Sequence, residues 1–385
     1  MEIKINTILK SLIIIIPFLC FYNIEIIDGI GIVDLLIDLL FITSLFTVKI
    51  DRTTLLFGSL CFSFMIIGVL FFYIFNPNES LNEITLGFVY KNLKIVEILT
   101  FGLVLKKYDL KINVQKYLTL ILVNFIFWTV FYVFFLKGFV SSFITSRVSF
   151  PSFSYEQSDA HLYSYCFGFI LASYVLFSHE IKKMIPILII LSSIILLQFT
   201  GSRNYIIAII FPLVFLYIFD FLKFISKSFI FLSASITVVC FFVFIVKDYV
   251  DLESLEYLYN RVYNFNLQDD SSASGRINKF LIGIDFFLKG PIVLGIPISS
   301  TPLIWFDGII PSVLLQFGIL GFIIILYFTI NSYLNLKDKR FKFLFLYIII
   351  GNLITEFIYV TKGLVFSLLI FLILKSLYKS KKINV

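Results

Sequence analysis

Apolar residues occur along this chain in long runs, and short lysine-rich segments separate these runs. A helix needs about 17 to 25 mostly apolar residues to cross a bilayer. The pattern therefore predicts an all-α fold, a polytopic transmembrane helix bundle of about twelve spans. The predicted spans are residues 8–22, 30–46, 55–75, 84–105, 117–136, 161–177, 184–199, 205–219, 224–246, 309–330, 341–360 and 364–377. Several of these twelve spans are shorter than the thickness of the bilayer.

The composition agrees with this pattern. Of the 385 residues, 60% are apolar and only 14% are charged, which is far from the balance of water-soluble proteins. We therefore expect residues 1–385 to form a single integral membrane domain. The N-terminal segment has the charge-then-apolar order of a signal peptide, but no small-residue cleavage site follows, which favours a retained first span. The four cysteines lie singly in apolar runs and indicate neither disulfides nor a metal site.

The distribution of lysine and arginine predicts the orientation of the bundle. If the N-terminus is inside, 20 of these residues fall in inside segments and four in the short outside loops. Such a bias is typical of membrane proteins whose lysine-rich side faces the cytoplasm. We therefore expect a cytoplasmic-membrane protein with both termini in the cytoplasm. The net charge of +7 then reflects topology rather than nucleic-acid binding.

Two predicted outside segments are longer than the others, a first external loop at residues 137–160 and a long external loop at residues 247–305. In the long loop, apolar positions recur at intervals of three and four until Gly290 and Pro291. This spacing predicts a helix of about 13 residues, too short to span, that lies on the membrane surface or packs over the bundle. Its apolar positions are Ile277, Phe280, Leu281, Ile284, Phe287 and Leu288, and a similar helix is predicted just before it from Leu252, Leu255, Leu258 and Val262.

Charged residues inside the predicted spans need an explanation, because they are costly at bilayer depth. They lie one turn apart in the second span, on one face of the fourth span, and alone in the eleventh. Two interpretations are open, mutual pairing inside the bundle or a polar cavity such as a transporter has. The residues are Asp34 and Asp38, then Lys91, Lys94 and Glu97, and finally Glu356.

Arginine is scarce in this chain, and its placement differs from that of lysine. Four of the six arginines lie in predicted outside segments, against the positive-inside trend. The planar guanidinium binds phosphate through two parallel hydrogen bonds, which the lysine ammonium does not. The placement therefore indicates an anionic ligand at the outer face, with pairing to outside carboxylates as the alternative. The four residues are Arg147, Arg203, Arg261 and Arg276.

Four segments resemble motifs of the bacterial O-antigen polymerase and ligase superfamily. GSRN from Gly201 resembles its serine-arginine turn between two spans. SGRINKFLIGIDFFLKGPIVLGIP from Ser274 resembles its outer-loop motif, an arginine followed by a helix and then by Pro and Gly. RVSFPSFSYEQSDAHLYSY from Arg147 is similar to the first large external loop of the repeat-unit polymerases. With the fourth segment, the resemblance covers residues 147–327, about half the chain.

The fourth segment, DGIIPSVLLQFGILG from Asp307, resembles the closing motif of this superfamily. In the ligases this motif is a histidine, a small polar residue, nine arbitrary residues, then Gly, two residues and Gly. Gly318 and Gly321 stand at the corresponding offsets, whereas Asp307 replaces the histidine and Gly308 replaces the polar residue. An acidic residue at this position is more typical of O-antigen and capsule repeat-unit polymerases than of ligases.

The resemblance implies a glycosyltransferase that acts at the external face of the bacterial cytoplasmic membrane without a cofactor. Its donor would be a glycan on undecaprenyl (polyprenyl) pyrophosphate, and its acceptor a sugar hydroxyl of a second lipid-linked repeat. No carboxylate cluster with magnesium-site spacing is evident, so a metal-independent reaction is expected. Expected partners are membrane lipids, a chain-length regulator and a flippase. The pyrophosphate-binding candidates, in falling order, are Arg203, Arg276, Arg147 and Arg261, and the candidates for the base are Asp307, Glu156 and His161.

Several alternatives stay open at this point. A ligase of the same superfamily would share the fold but should carry histidine at position 307. A transporter of polysaccharide or lipid-linked sugar would use the charged residues inside the spans. Structural roles are also open, because Asp307 would suit a helix N-terminus and His161 would suit the membrane interface. Gly318 and Gly321 would allow close helix packing.

Overall fold

The structure is a computed structural model, and it describes the chain in segments. These are residues 2–19, 25–27, 30–46, 113–131, 160–177, 184–198, 204–217, 271–290, 292–295, 308–354 and 366–383, together with isolated helical residues between 52 and 74. The predicted spans at 84–105 and 224–246, the predicted helix around residues 252–262, and the charged residues Lys91, Lys94, Glu97 and Glu356 lie outside the described residues.

The described part of the chain is helical apart from one short hairpin, which confirms the predicted all-α class. Its ten helices follow the apolar runs, because those runs are rich in residues that pack well on a helix surface. The helices are α1 (Glu2–Leu19), α2 (Ile32–Leu45), α3 (Val114–Phe131), α4 (Ala160–Phe177), α5 (Met184–Gln198), α6 (Asn204–Tyr217), α7 (Ser271–Lys289), α8 (Ile309–Leu334), α9 (Lys339–Ile354) and α10 (Phe366–Ile383).

A small antiparallel hairpin precedes α2, formed by β1 (Glu25–Ile27) and β2 (Ile30–Gly31). The second span was predicted to begin at residue 30, whereas the helix begins at Ile32. The reason lies in the local sequence, because Asp28 and Gly29 stand between the strands and an Asp-Gly pair favours a two-residue hairpin turn. The residues on both sides of this pair are mostly apolar, so the apolar pattern alone did not separate the strand residues from the helix.

By length and apolarity, one helix of the described part of the chain is able to cross a membrane. It is Ile309–Leu334, with 26 residues and a mean hydropathy of 2.5 in its most apolar window. The other apolar helices have shorter apolar stretches than a full span requires. The number of twelve spans therefore stays a prediction.

The centre of the described bundle is α4. It packs against α3, α5, α6, α9 and α10, and every residue from 162 to 174 is buried. A helix that is buried on all sides has apolar residues on every face. This segment therefore lacks a periodic polar face. Its polar groups bond inside the bundle instead, as Tyr163 does with Thr129 on α3. Tyr347 on α9 donates a hydrogen bond from its hydroxyl to the carbonyl of Tyr165, at 2.8 Å.

A tight turn at residues 335–338 connects α8 to α9 at the predicted cytoplasmic end. The Asp338 carboxylate accepts hydrogen bonds from the backbone N–H of Arg340 at 2.9 Å and from its guanidinium at 2.7 Å and 3.1 Å. The same guanidinium lies 5.0 Å from the centre of the Phe177 ring at the end of α4. These contacts fix the turn against the bundle and so fix where α8 ends and α9 begins.

Helix α8 is broken at Gly318, whose backbone has φ 63 and ψ −173. Residues 319–334 form the long part, which matches the 16 residues of the neighbouring α9. If α8 were straight, Gly308 would lie about 15 Å beyond the end of α9. Instead, a Cβ on Gly308 would be 3.2 Å from the carbonyl oxygen of Leu353, near the end of α9. Residues 309–317 therefore run across the C-terminal end of α9, and this segment is mostly buried.

Candidate functional site

The outer-loop motif and the closing motif are in direct backbone contact in the structure. The N–H of Ile319 donates a hydrogen bond to the carbonyl of Ile292 at 2.9 Å, and the N–H of Leu320 bonds the carbonyl of Val293 at 3.5 Å. A helix that starts again after a break has N–H groups with no partner in the preceding turn. The segment after α7 supplies those partners. We call this contact, between residues 292–295 and 318–320, the glycine junction.

Two glycines make the glycine junction possible. Both have positive φ, 78 at Gly295 and 63 at Gly318, which side chains disfavour. A Cβ on Gly318 would collide with the backbone of Val293, and a Cβ on Gly295 would collide with the carbonyl of Leu315. The glycines at 318 and 321 were predicted to allow close helix packing. Gly318 instead breaks its helix and admits a second backbone, whereas Gly321 leaves room for the Phe317 side chain.

Helix α7 lies against the N-terminal half of α8, so the glycine junction is part of a larger contact. Gly283 and Phe287 form the buried edge of α7. The Phe280 ring would be 3.9 Å from a Cβ on Gly308, which is the N-cap of α8. The prediction for α7 was a helix of about 13 residues, and the observed helix has 19 because it begins at Ser271, before the apolar repeat.

The start of α6 packs against α4 and α9. Tyr205, the second residue of α6, is buried. A Cβ on Gly168 of α4 would be 3.0 Å from the Cβ of Tyr205 and 2.6 Å from the hydroxyl of Tyr347 on α9. The absence of a side chain at Gly168 therefore lets α6 and α9 approach α4 at this point. Sequence reasoning missed this residue, because nothing in the pattern separates it from other glycines in apolar runs.

The described residues that follow Arg203 and Asp307 in the chain both lie next to α9. Arg203 is two residues before Tyr205, which lies beside Tyr347, and Asp307 immediately precedes Gly308, which lies beside Leu353. Tyr347 and Leu353 are six positions apart in α9, which corresponds to about 9 Å along the helix axis. The structure thus brings the described neighbours of two candidate residues to the C-terminal half of α9.

The candidate side chains themselves are not among those that the structure describes. Arg147, Glu156, Arg203, Arg261 and Asp307 lie outside the described residues. His161 is the second residue of α4 and Arg276 is the sixth residue of α7, and their side chains are likewise not described. The N-cap position of α8 is held by Gly308, so Asp307 stands one residue before the cap.

Two pairs of polar residues lie inside the described bundle, and the sequence analysis named only the first of them. Asp34 on α2 is buried and Asp38 is half-buried, and both take part in interactions within the protein. Ser312 and Gln316, in the N-terminal half of α8, were not singled out from the sequence, although their spacing of four places them on one side of that segment. Both are buried, and the Ser312 hydroxyl donates to the carbonyl of Gly308 at 3.3 Å.

Within the described ranges, no group of three or more His, Cys, Asp or Glu side chains is placed to hold a metal ion.

No family model, no curated protein and no solved structure matches this chain.

Proposed function

We propose that this protein is a repeat-unit polymerase of the O-antigen or capsule type, a polytopic protein of the bacterial cytoplasmic membrane with about twelve spans. It transfers a glycan from a polyprenyl-pyrophosphate donor to a sugar hydroxyl of a second lipid-linked repeat at the external face. The observation that carries this proposal is the glycine junction. Two segments that resemble separate motifs of one superfamily are joined there, backbone to backbone, through glycines that both motifs contain.

The reaction requires little beyond positioning and charge stabilisation. The bond between the anomeric carbon and the pyrophosphate oxygen breaks, and the acceptor oxygen bonds to that carbon. The acceptor proton passes to a carboxylate, and polyprenyl pyrophosphate leaves with the electron pair. Because negative charge develops on the leaving group, cationic donors in fixed positions accelerate this step. Arg203 and Arg276 are the proposed donors, with Arg147 and Arg261 as further candidates.

The joined motifs explain how distant parts of the chain would serve one site. Arg276 belongs to α7, which the glycine junction holds against α8, and Asp307 lies two residues before the start of α8. Arg203 directly precedes α6, whose first turn is packed beside α9. We assign the base role to Asp307, with Glu156 and His161 as alternatives close to the start of α4. A ligase of the same superfamily would transfer the glycan to a different acceptor and should carry histidine at position 307, where this chain has Asp307.

The Asp307→Asn variant tests the proposed base. We expect it to retain the lipid-linked donor but to form chains much more slowly, because a neutral amide is a poor proton acceptor. If the carboxylate only favoured the start of α8 through its charge, the neutral asparagine would cost roughly 0.3 to 1 kcal/mol of helix stability and elongation would continue. The measurement is an electrophoretic ladder of glycan lengths from cells that carry the variant as their only copy.

The matched control for this experiment is Asp285→Asn. Asp285 is an exposed carboxylate of α7, paired with Lys289 at 2.6 Å, and an exposed pair of this kind contributes little. We expect a full ladder from this control at normal membrane abundance. A ladder of ordinary length from Asp307→Asn would remove the base role from that residue.

A further inference from the structure

Helix α7 carries three different surfaces around its circumference. One edge, with Gly283 and Phe287, is buried against the protein. The next strip is apolar and exposed, and the strip after that is polar and exposed. The apolar strip consists of Ile277, Phe280, Leu281 and Leu288, with the half-buried Ile284 among them, and the polar strip consists of Asn278, Asp285 and Lys289.

We propose that the apolar strip of α7 lies in the outer leaflet of the membrane, with lipid as its occupant. This inference rests on the proposed membrane location of the chain. A helix in the membrane interface has an apolar face toward the acyl chains and a polar face toward water. Helix α7 has both, and its third side is fixed to the protein, so its rotation about its own axis is determined.

The apolar strip is continuous with the exposed side of α8, and this continuity identifies the occupant. The glycine junction holds the exposed residues Ile292 and Val293 against Ile319 and Leu320, which are also exposed. From there the exposed apolar surface continues along the one described helix that is able to cross a membrane. A single apolar surface of this extent is suited to a bilayer. Its further members on α8 are Ile323, Leu326, Tyr327 and Ile330.

The polar strip sets the depth of the helix. Asn278, Asp285 and Lys289 follow one another at intervals of seven and four, so they form a narrow line along α7. The Lys289 ammonium bonds the Asp285 carboxylate at 2.6 Å, and both side chains are exposed. With this line in water and Leu281 in lipid, α7 lies parallel to the membrane at the level of the headgroups. Arg276 belongs to the same helix, so α7 would carry it at the level where a lipid-linked pyrophosphate lies.

Tryptophan fluorescence in reconstituted vesicles tests the proposal. The background variant is Trp128→Phe with Trp305→Phe, which removes both native tryptophans. Leu281→Trp is the probe in the apolar strip, with Leu288→Trp as a second probe should the first fail to fold. Asn278→Trp is the control in the polar strip, and Ile323→Trp is the control on α8. Each full-length variant is placed in phosphatidylcholine vesicles brominated either near the headgroup or in the middle of the acyl chain.

We expect Leu281→Trp to lose emission mainly to the shallow bromines and to be protected from aqueous iodide. Asn278→Trp should show the opposite pattern, and Ile323→Trp should lose emission mainly to the deep bromines. If Ile323→Trp is quenched by lipid while both strip probes are quenched by iodide alone, the strip faces water and the proposal is wrong. If both strip probes escape lipid and iodide together, a protein surface covers the strip, which also overturns the proposal. If Ile323→Trp is not quenched by brominated lipid at all, this result would instead contradict the membrane bundle on which the proposed function depends.

Discussion

Arg203→Lys and Arg276→Lys variants are expected to abolish long glycan chains while single repeats accumulate on the lipid carrier. Lysine keeps the positive charge but loses the two-pronged hydrogen bonding of the guanidinium. Removing one strong donor to developing charge typically costs about 3 to 4 kcal/mol, a rate loss on the order of 10² to 10³. If the guanidinium acts mainly as the bond breaks, turnover should fall more than donor affinity. The measurement is the ladder of glycan lengths, with membrane abundance assayed alongside.

Arg52→Lys is the control for these two variants. Arg52 is exposed and lies in a segment predicted to face the cytoplasm, so its replacement should leave the ladder unchanged. Arg340 is unsuitable as a control, because its guanidinium bonds Asp338 and covers the Phe177 ring. Full ladders from well-expressed Arg203→Lys and Arg276→Lys proteins would eliminate the pyrophosphate clamp.

A Gly318→Ala variant is expected to open the glycine junction and to strongly reduce chain elongation. The added methyl group would collide with the backbone of Val293, and the backbone at φ 63 and ψ −173 is in a region that essentially only glycine occupies. Strain of this kind costs roughly 1 to 3 kcal/mol, and it is relieved when residues 292–295 move away and the backbone at position 318 relaxes to an ordinary φ. A shift of that size lowers the equilibrium constant between the joined and the open state by roughly fivefold to more than 100-fold. Limited proteolysis of α7 and the glycan ladder together measure the effect.

Gly275→Ala in α7 is the matched control for this glycine. No atom lies within 4 Å of a Cβ placed there, and its backbone has no positive φ. Alanine favours a helix over glycine by roughly 0.5 to 1 kcal/mol, so this variant should fold and elongate chains normally. The account of the glycine junction fails if Gly318→Ala gives the same protease pattern and the same ladder as Gly275→Ala.

The helices were predictable from the sequence where an apolar run coincides with one helix. Helix α4 was expected at residues 161–177 and is found at Ala160–Phe177, and α8 was expected to begin at residue 309 and begins at Ile309. A run of apolar residues forms a helix because no competing turn residue interrupts it. The end of α7 at Lys289 was predictable because the turn residues Gly290 and Pro291 follow it and interrupt the apolar repeat.

The features that position the candidate site were less accessible to sequence reasoning. The break at Gly318 lies between apolar residues on both sides, so the pattern reads as one continuous helix. The break is stabilised by hydrogen bonds to residues 292–293, which come from a different segment, and a local pattern contains no information on that contact. The approach of Tyr205 and Tyr347 over Gly168 likewise depends on three separate helices. The motifs located both segments of the glycine junction, but only the structure shows that they touch.

Elongation by the purified protein is the most direct test of the proposed polymerase. The full-length chain is reconstituted in vesicles and supplied with a single repeat unit on polyprenyl pyrophosphate, without any nucleotide sugar. We predict a ladder of longer lipid-linked glycans together with release of polyprenyl pyrophosphate, and neither product from the Arg203→Lys protein. Movement of the intact lipid-linked repeat across the bilayer without any change in its length would contradict the account and would identify a transporter instead.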